Sequence, residues 1–547
     1  MFARIKRIKN GGGGIREYLL IVKNERIKGR VVQKTVANLG RMDILGQKDV
    51  AQILIEKLQE YHKIEGLINL RTSQCDWAKE YGVLLILRRV WEQLGLDELL
   101  GRYLEKYRYK KDLGECLFAM VANKLIEPKS EHGMVNWLQT IYESRWEQFG
   151  LGQFYRALDF LSWHKKDLEK DLFFKTTDLF SQQLDLVMFD TTSMKYWGEG
   201  KEAQILQHGY SKDKRGDLKQ LIVGVLMTKE GYPVGCEIFP GNTSDLKSFI
   251  KVVEQLKVRH DIGRLVWVCD RGMVSRHNIE KLKELKQDYI LGVRMRQFSK
   301  PRREEFLNPK GMWEVKDNLY VKEVYVEGEG RYIVCYNPKE AEDRNNKRQH
   351  FKRHINKKLA TTSAKDWMIK NAYKKYVDFE GTIELNEKKF YDDKQYDGYW
   401  VLLTSTPLST QDVALQYKGL WQIEAGFRDL KSELVTAPIY HYKERRIMAH
   451  IFVAFLALLV KITLKKKIKA IDPKASYSEV FDALRQIKAV KINCDRQEVI
   501  FRTEFPPKAH LAFQALGVAP PARIISYHKR PSVVSRQGLP DLFSSTK

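Results

Sequence analysis

Short apolar runs rich in β-branched residues open the chain. Residues 15–23 (IREYLLIVK) and 30–38 (RVVQKTVAN) predict two strands separated by polar, turn-like stretches, and residues 1–45 read as a small β unit. The period then lengthens. VAQILIEKLQEYHKI, YGVLLILRRVWEQLGLDELL, ECLFAMVANKLI and FYRALDFLSWH carry apolar residues at i, i+3, i+4 and i+7, which predicts a mainly helical region over 46–182. From residue 184 the pattern changes again. LDLVMFD, LKQLIVGVLMT, YPVGCEIFP and RLVWVCD are short and β-rich, with Glu230-Gly231 as a hairpin turn between the second and third. A helix is expected over 244–260, with Asn242 as its cap, and QDYILGVRM (287–295) gives a fifth strand. Three strands, a helix and two more strands over 183–295 predict a mixed α/β core.

Residues 296–398 break that rhythm. LYVKEVYVEGEGRYIVCYN predicts a hairpin turning at 328–330, RNNKRQHFKRHINKK is a basic helical stretch without an acid, and GTIELNEKKFYDD returns to strand. The segment reads as an inserted β-rich domain. A second part of the core follows over 399–470: the strand YWVLLTS, a helix over 411–432 and an apolar helix over 447–464. Residues 471–547 form a basic C-terminal region. The greasiest run, Ile451 to Val460, is half the length a spanning helix needs, so it is expected to be a buried core helix and no membrane is expected as a partner.

Charge narrows the function. The 547 residues carry 95 Lys+Arg against 69 Asp+Glu, a net +26, which points to a polyanion and first to nucleic acid. The six cysteines include no CxxC pair, which disfavours a zinc ribbon or disulfide scaffold and suggests a reducing, cytoplasmic setting. No signal peptide is legible at the N-terminus. Gly11 to Gly14 lack a following Lys-Ser/Thr, so they read as a turn, not a phosphate loop.

Three carboxylates stand out by position. Asp190 and Asp270 each follow an apolar strand, where a sheet holds the backbone rigid and leaves the carboxylate free to bind. A pair of hard oxygen donors on one sheet edge suits Mg²⁺ or Mn²⁺. Glu424 lies in the predicted helix with Tyr417 and Lys431 seven residues to either side, which would align all three on one stripe with Arg428 nearby. An ordinary amphipathic helix with an i,i+4 Glu424–Arg428 pair would carry the same pattern. With three converging carboxylates, two ions about 4 Å apart could serve the attacking and leaving oxygens of a phosphodiester. Arg428 and Lys431 would then hold phosphate oxygens. His208 and Lys212, before the second strand, are further phosphate-contact candidates.

These residues resemble a known family. Tyr417, Glu424 and Lys431 match the Tyr-x2-Arg-x3-Glu-x6-Lys signature of bacterial DDE-type insertion-sequence transposases, with Leu420 standing at the signature Arg position. MFDTTS around Asp190, the stretch 208–245 and VWVCDRGM around Asp270 are similar to the family's first- and second-Asp segments, and the resemblance runs over about 184–464. It implies a ribonuclease-H-like mixed sheet core interrupted by a β-rich insertion domain, flanked by the N-terminal β unit and helical domain. It implies catalysis and metal binding by Asp190, Asp270 and Glu424 with two Mg²⁺ (Mn²⁺ substituting), and a phosphate-binding role for Tyr417. A strand would be cut at the transposon end and the freed 3′-OH would attack target DNA. The expected partners are double-stranded end and target DNA and a second copy of the chain, in a bacterial, nucleoid-associated setting. In relatives with such an insertion a flipped base stacks on aromatic residues, for which Trp313, Tyr320 and Tyr325 are candidates.

Two other readings share these features: a ribonuclease-H-like nuclease or resolvase that cuts without joining, and a non-catalytic DNA-binding regulator. Tyrosine-recombinase chemistry has less support, since Tyr440, His441 and Arg445 lack a matching arginine cluster.

Overall fold

The computed structural model describes residues 1–9, 14–27, 30–46, 50, 73–179, 186–210, 216–260, 265–359, 377–379, 383–434, 438–494 and 497–529. The first expected helix (50–64) therefore lies almost wholly outside the described residues. The chain divides into two compact units: Met1–Trp77 with Val490–Phe501 and Ile524–Lys547, and Ala78–Ala489 with Arg502–Arg523.

In the first unit the antiparallel strands β1 (Phe2–Lys9), β2 (Ile15–Ile27) and β3 (Arg30–Arg41) form a three-stranded sheet. Every residue of β1 is exposed, whereas Leu20 and Val22 of β2 are buried. Strand β4 (Ser73–Glu80) belongs to a separate four-stranded sheet completed by strands from the C-terminal region.

The second unit begins with helices α1 (Gly82–Gln93), α2 (Leu96–Lys106), α3 (Asp112–Ile126), α4 (Glu131–Trp137) and α5 (Leu151–Leu179). They share that unit with the core. Next come β5 (Leu186–Lys195), β6 (Gln220–Thr228) and β7 (Pro233–Pro240), joined as an antiparallel meander. Helix α6 (Asp245–His260) crosses over to β8 (Val266–Cys269), and α7 (Arg276–Glu284) to β9 (Asp288–Val293). Strands β5, β8 and β9 are mutually parallel in the order β5-β8-β9. The order β7-β6-β5-β8-β9, with β6 antiparallel to both its neighbours, is the ribonuclease-H-like arrangement. The Oγ of Ser244, not Asn242, accepts from the α6 backbone at Lys247.

After α8 (Lys300–Leu307), strands β10 (Trp313–Lys316), β11 (Leu319–Val326) and β12 (Gly330–Tyr336) do not close a sheet of their own. Helix α9 (Pro338–Leu359), the antiparallel pair β13 (Val377–Phe379) and β14 (Ile383–Leu385), and α10 (Glu387–Lys394) precede β15 (Tyr399–Thr404). β15 pairs with β12 on one side and β9 on the other, so the inserted strands extend the core sheet to nine in the order β10-β11-β12-β15-β9-β8-β5-β6-β7. The stretch EKKFYDD is helix, not strand: the Asn386 side chain caps α10 by accepting from Lys389 N.

Helices α11 (Thr410–Lys418), α12 (Trp421–Arg428) and α13 (Glu444–Ile471) cover one face of the sheet, and α6 and α7 the other. α13 packs on α1, α3 and α5 as well as β7, which explains its apolar character all round. Its 28 residues are long and apolar enough to cross a membrane, yet 89% of its apolar window is buried inside the fold, as the core-helix reading expects. Helix α14 (Tyr477–Arg485), strands β16 (Lys488–Cys494) and β17 (Gln497–Arg502), helix α15 (His510–Leu516) and strand β18 (Ile524–Lys529) end the described chain. The last three strands complete the sheet of β4, in the order β18-β17-β16-β4.

Candidate active site

Strand β5 is largely buried on both faces because helices cover both sides of the sheet, and Asp190 is a half-buried carboxylate within LVMFDTTSMK. Asp190 does not end its strand as the sequence suggested. β5 runs five residues further because its antiparallel pairing with β6 continues to Lys195. What stops is the parallel neighbour. Phe189 pairs with Cys269, the last residue of β8, so Asp190 and Asp270 occupy the next rung. Strands stand about 4.8 Å apart, and this register therefore sets the two carboxylate-bearing backbones side by side at the end of β8. Asp190 Oδ1 accepts from Thr191 N at 2.7 Å. Cys269, buried one residue before Asp270, has its thiol pushed well up by burial and then by the negative charge of Asp190 and Asp270.

Asp270 is exposed and leads into a single helical turn. The Tyr417 hydroxyl donates to Asp270 Oδ1 at 3.1 Å. Burial first, and the Asp270 charge second, hold the Tyr417 phenol far above its ordinary range, so it remains a donor. The ring reaches Asp270 across β9 at Gly292, where a Cβ would stand 3.0 Å from Tyr417 Cζ and closer still to its hydroxyl. Arg271 also lies in the electrostatic neighbourhood of Tyr417. Neither Gly292 nor Arg271 was singled out by sequence reasoning. Arg271 adjoins Asp270 and was open to notice, whereas Gly292 carries no signal until the path of Tyr417 is known.

The expected continuous helix over 411–432 is three elements. Between α11 and α12 the backbone tightens at Gly419 and Leu420, with Gln422 N bonding to Gly419 O and Ile423 N to Leu420 O. Past Arg428 it widens into a π-helical turn, Asp429–Glu433. Tyr417, Glu424 and Lys431 therefore fall on α11, α12 and the π turn, and the simple seven-residue stripe does not apply. Close packing at glycine positions α12 against the sheet: a Cβ on Gly419 would meet Met188 Sδ at 3.2 Å, and one on Gly426 would meet Met227 Cε at 2.6 Å. Gln422 Nε2 donates to Lys229 O at 3.3 Å in the β6–β7 turn. Glu424 is exposed and lies about 200° further round the helix, so it leaves on the side away from that turn. Asp190 stands three rungs along β5 from the Val187–Thr228 pair next to the turn. Arg428 and Lys431 are exposed, and Leu420 is half-buried against the core. Among the described residues the three carboxylates do not form a compact ligand group. The set whose ligand atoms lie within 4.8 Å of one another is Glu131, His441 and His450.

A family model described as the transposase DDE domain matches residues 181–460, more than half of the chain, and one described as the IS1634 family transposase N-terminal domain matches residues 3–67. The chain belongs to the insertion-sequence DDE transposases. As such the transposase is a DNA-acting enzyme that uses a divalent metal to cleave and transfer strands. Among solved structures it is similar to piggyBac transposase in a synaptic complex with hairpin DNA, seen by cryo-EM, at 10% identity over 69% of this chain and 70% of that chain, with a TM-score of 0.36. No curated protein matches it.

Other candidate positions in the transposase are dispersed. His208 is exposed on the loop before β6, with Nδ1 3.3 Å from Gly216 O, and Lys212 lies outside the described residues. Trp313 pairs across strands with Val321, while Tyr320 pairs with Glu314 and Tyr336. Alternation along β11 then puts Trp313 and Tyr325 on one face of the sheet and Tyr320 on the other, so the three do not make one stacking platform. Tyr440 is exposed, whereas His441 is buried against Glu131, which separates the pair considered for recombinase chemistry.

Proposed function

We propose that Asp190, Asp270 and Glu424 are the catalytic carboxylates of this transposase and hold two Mg²⁺ ions, with Mn²⁺ able to replace them. The observation that carries this reading is the Phe189–Cys269 register, which brings two aspartates from distant parts of the chain to adjacent rungs, together with the Tyr417–Asp270 hydrogen bond that ties the glutamate-bearing segment to the same edge. Oxygen-only donors suit Mg²⁺ and Mn²⁺. Two ions about 4 Å apart need carboxylates spread more widely than a single-ion cage. When bound, the ions supply charge neutralisation and activation of the attacking oxygen in phosphodiester cleavage.

The chain's own residues do the positioning. Tyr417 fixes one oxygen of Asp270, and the β5–β8 ladder fixes the Asp190 backbone. Arg428 and Lys431, exposed beyond Glu424, hold phosphate oxygens of the transposon end. His208 and Lys212 supply further backbone contacts. Trp313 and Tyr325, exposed on a common face, are the better-placed pair for base stacking; Tyr320 faces the other way. The reaction cuts the transposon end and joins its 3′-OH to target DNA in a dimer that bridges both ends, in a bacterial cytoplasm at the nucleoid.

The test uses the full chain with duplexes bearing the element's terminal sequence, and a pre-cut 3′-OH end with target DNA. Asp190→Asn, Asp270→Asn and Glu424→Gln should each abolish Mg²⁺-dependent cutting and joining while leaving DNA binding intact. Near-normal turnover by any of the three removes that residue from the site. Cutting without joining by the unaltered chain would replace transfer with simple hydrolysis.

A further inference from the structure

The second unit holds a group of ligand-type side chains away from the aspartate edge. Glu131 is the first residue of α4, His450 lies in α13, and His441 sits in the loop just before α13. All three are nearly fully buried, at 4%, 6% and 2% exposure for Glu131, His441 and His450. His450 Nδ1 is 3.2 Å from Glu131 Oε1, and His441 Nε2 is 3.1 Å from Glu131 Oε2. The second contact lacks hydrogen-bond alignment: His441 Nε2 has no hydrogen-bond partner among the described residues. A buried imidazole nitrogen that lies close to a carboxylate oxygen without hydrogen-bond alignment is a donor atom left for another partner. Metal–ligand distances of about 2.1 Å around a tetrahedral ion give ligand–ligand edges of about 3.4 Å, and one ligand atom from each of the three residues lies within 4.8 Å of the others.

We infer that Glu131, His441 and His450 form a buried site for one divalent cation of the zinc class, separate from the aspartate edge. Two imidazoles and a carboxylate are a borderline donor set, which selects zinc or cobalt over the Mg²⁺ that an all-oxygen edge prefers. The ion would pin α4 to α13, the apolar helix that backs the sheet, and so would act on stability, not on bond chemistry. Lys124, buried in α3, faces Glu131 electrostatically. Its ammonium competes with a cation for the carboxylate, so removing it should tighten ion binding. If the group were only a salt-bridged cross-link, removing Lys124 would weaken it.

The experiment takes the full chain in an Asp190→Asn, Asp270→Asn background, strips metal with chelator, and titrates Co²⁺ while recording its visible d–d absorption. One equivalent with a tetrahedral spectrum is expected. His441→Gln and His450→Gln should each lose it, and Lys124→Met should bind it more tightly. Circular dichroism confirms that each variant is folded. Zn²⁺ should displace the Co²⁺ signal and raise the thermal midpoint of the parent by mass action. The inference is overturned if no such equivalent binds, if it survives both histidine changes, or if Lys124→Met weakens it. None of these readouts depends on strand transfer, so they stand or fall apart from the assignment of the aspartate site.

Discussion

The Tyr417 hydroxyl donates to Asp270 Oδ1 at 3.1 Å although 147 positions separate the two residues. A half-buried phenol on α11 thereby orients an exposed carboxylate at the end of β8. A hydrogen bond to a charged group contributes about 1.5–3 kcal/mol. Tyr417→Phe should therefore lower the rate of end cleavage by roughly 10- to 100-fold, with DNA affinity little changed. Unchanged cleavage kinetics in the phenylalanine variant would remove Tyr417 from the positioning of Asp270.

Gly292 leaves the space through which that ring passes. In Gly292→Ala the new methyl would overlap the Tyr417 hydroxyl, so the ring must shift and the bond to Asp270 must break. The alanine variant should reproduce the cleavage defect of Tyr417→Phe. Combining the two changes should add less than the sum of the separate losses, because both remove one contact. A double variant whose losses simply add would show that Gly292 acts elsewhere.

Arg428 and Lys431 follow Glu424 on the exposed side of their elements. If each contacts one phosphate, Arg428→Ala and Lys431→Ala should weaken binding to every duplex about equally. Each should also reduce the slope of log affinity against log salt by about 1. Binding isotherms at several salt concentrations measure both. A slope identical to that of the parent places the altered residue off the DNA.

Asp159 on α5 accepts from Arg446 on α13 at 2.9 and 2.8 Å and from Arg445 at 3.0 Å. The Arg446 hydrogen bond, followed by its charge and by Arg445, holds the Asp159 carboxyl below its usual range. A group whose folded-state value is lowered contributes stability above its unfolded value of about 3.9 and loses that contribution as pH falls through the folded one. Asp159→Asn should thus destabilise the chain by a constant amount from neutrality to about pH 5, and the gap to the parent should close below about pH 4. Urea unfolding across that range reads it out; a gap that widened on acidification would contradict the pairing.

α13 should be the least tolerant helix. Phe455 and Phe452 are each 1% exposed in a helix covered on every side. Phe455→Ala should cost about 3–5 kcal/mol, measured as a loss of denaturant midpoint. A surface-like cost below about 1 kcal/mol would mean that α13 is not the packed centre of the second unit.

Periodicity in the amino-acid sequence determined the kinds and order of the core strands and of the apolar helix, though not the helix at EKKFYDD. The five core strands follow from short β-branched runs, and α13 from its length and apolar content, because burial on all sides leaves a mark in composition. Asp190 and Asp270 were legible as candidates because each interrupts or bounds an apolar strand, and Glu424 because of its seven-residue spacing from Tyr417 and Lys431. Local pattern did not reveal the two bends that split residues 411–432, since Gly419 and the π turn depend on packing against Met188 and on contacts across the sheet.

Pairing partners are fixed by register, and register is a property of two strands at once. Only the tertiary structure decided that Phe189 stands opposite Cys269, that β10–β12 extend the core sheet, and that Gly292 opens a path for Tyr417. Likewise, Glu131 lies 319 positions from His450, which has His441 as a near neighbour in sequence, and the three carry no spacing motif. They meet because helix packing brings α4 against the start of α13, and a sequence records which side chains are available for such a meeting but not which ones the fold brings together.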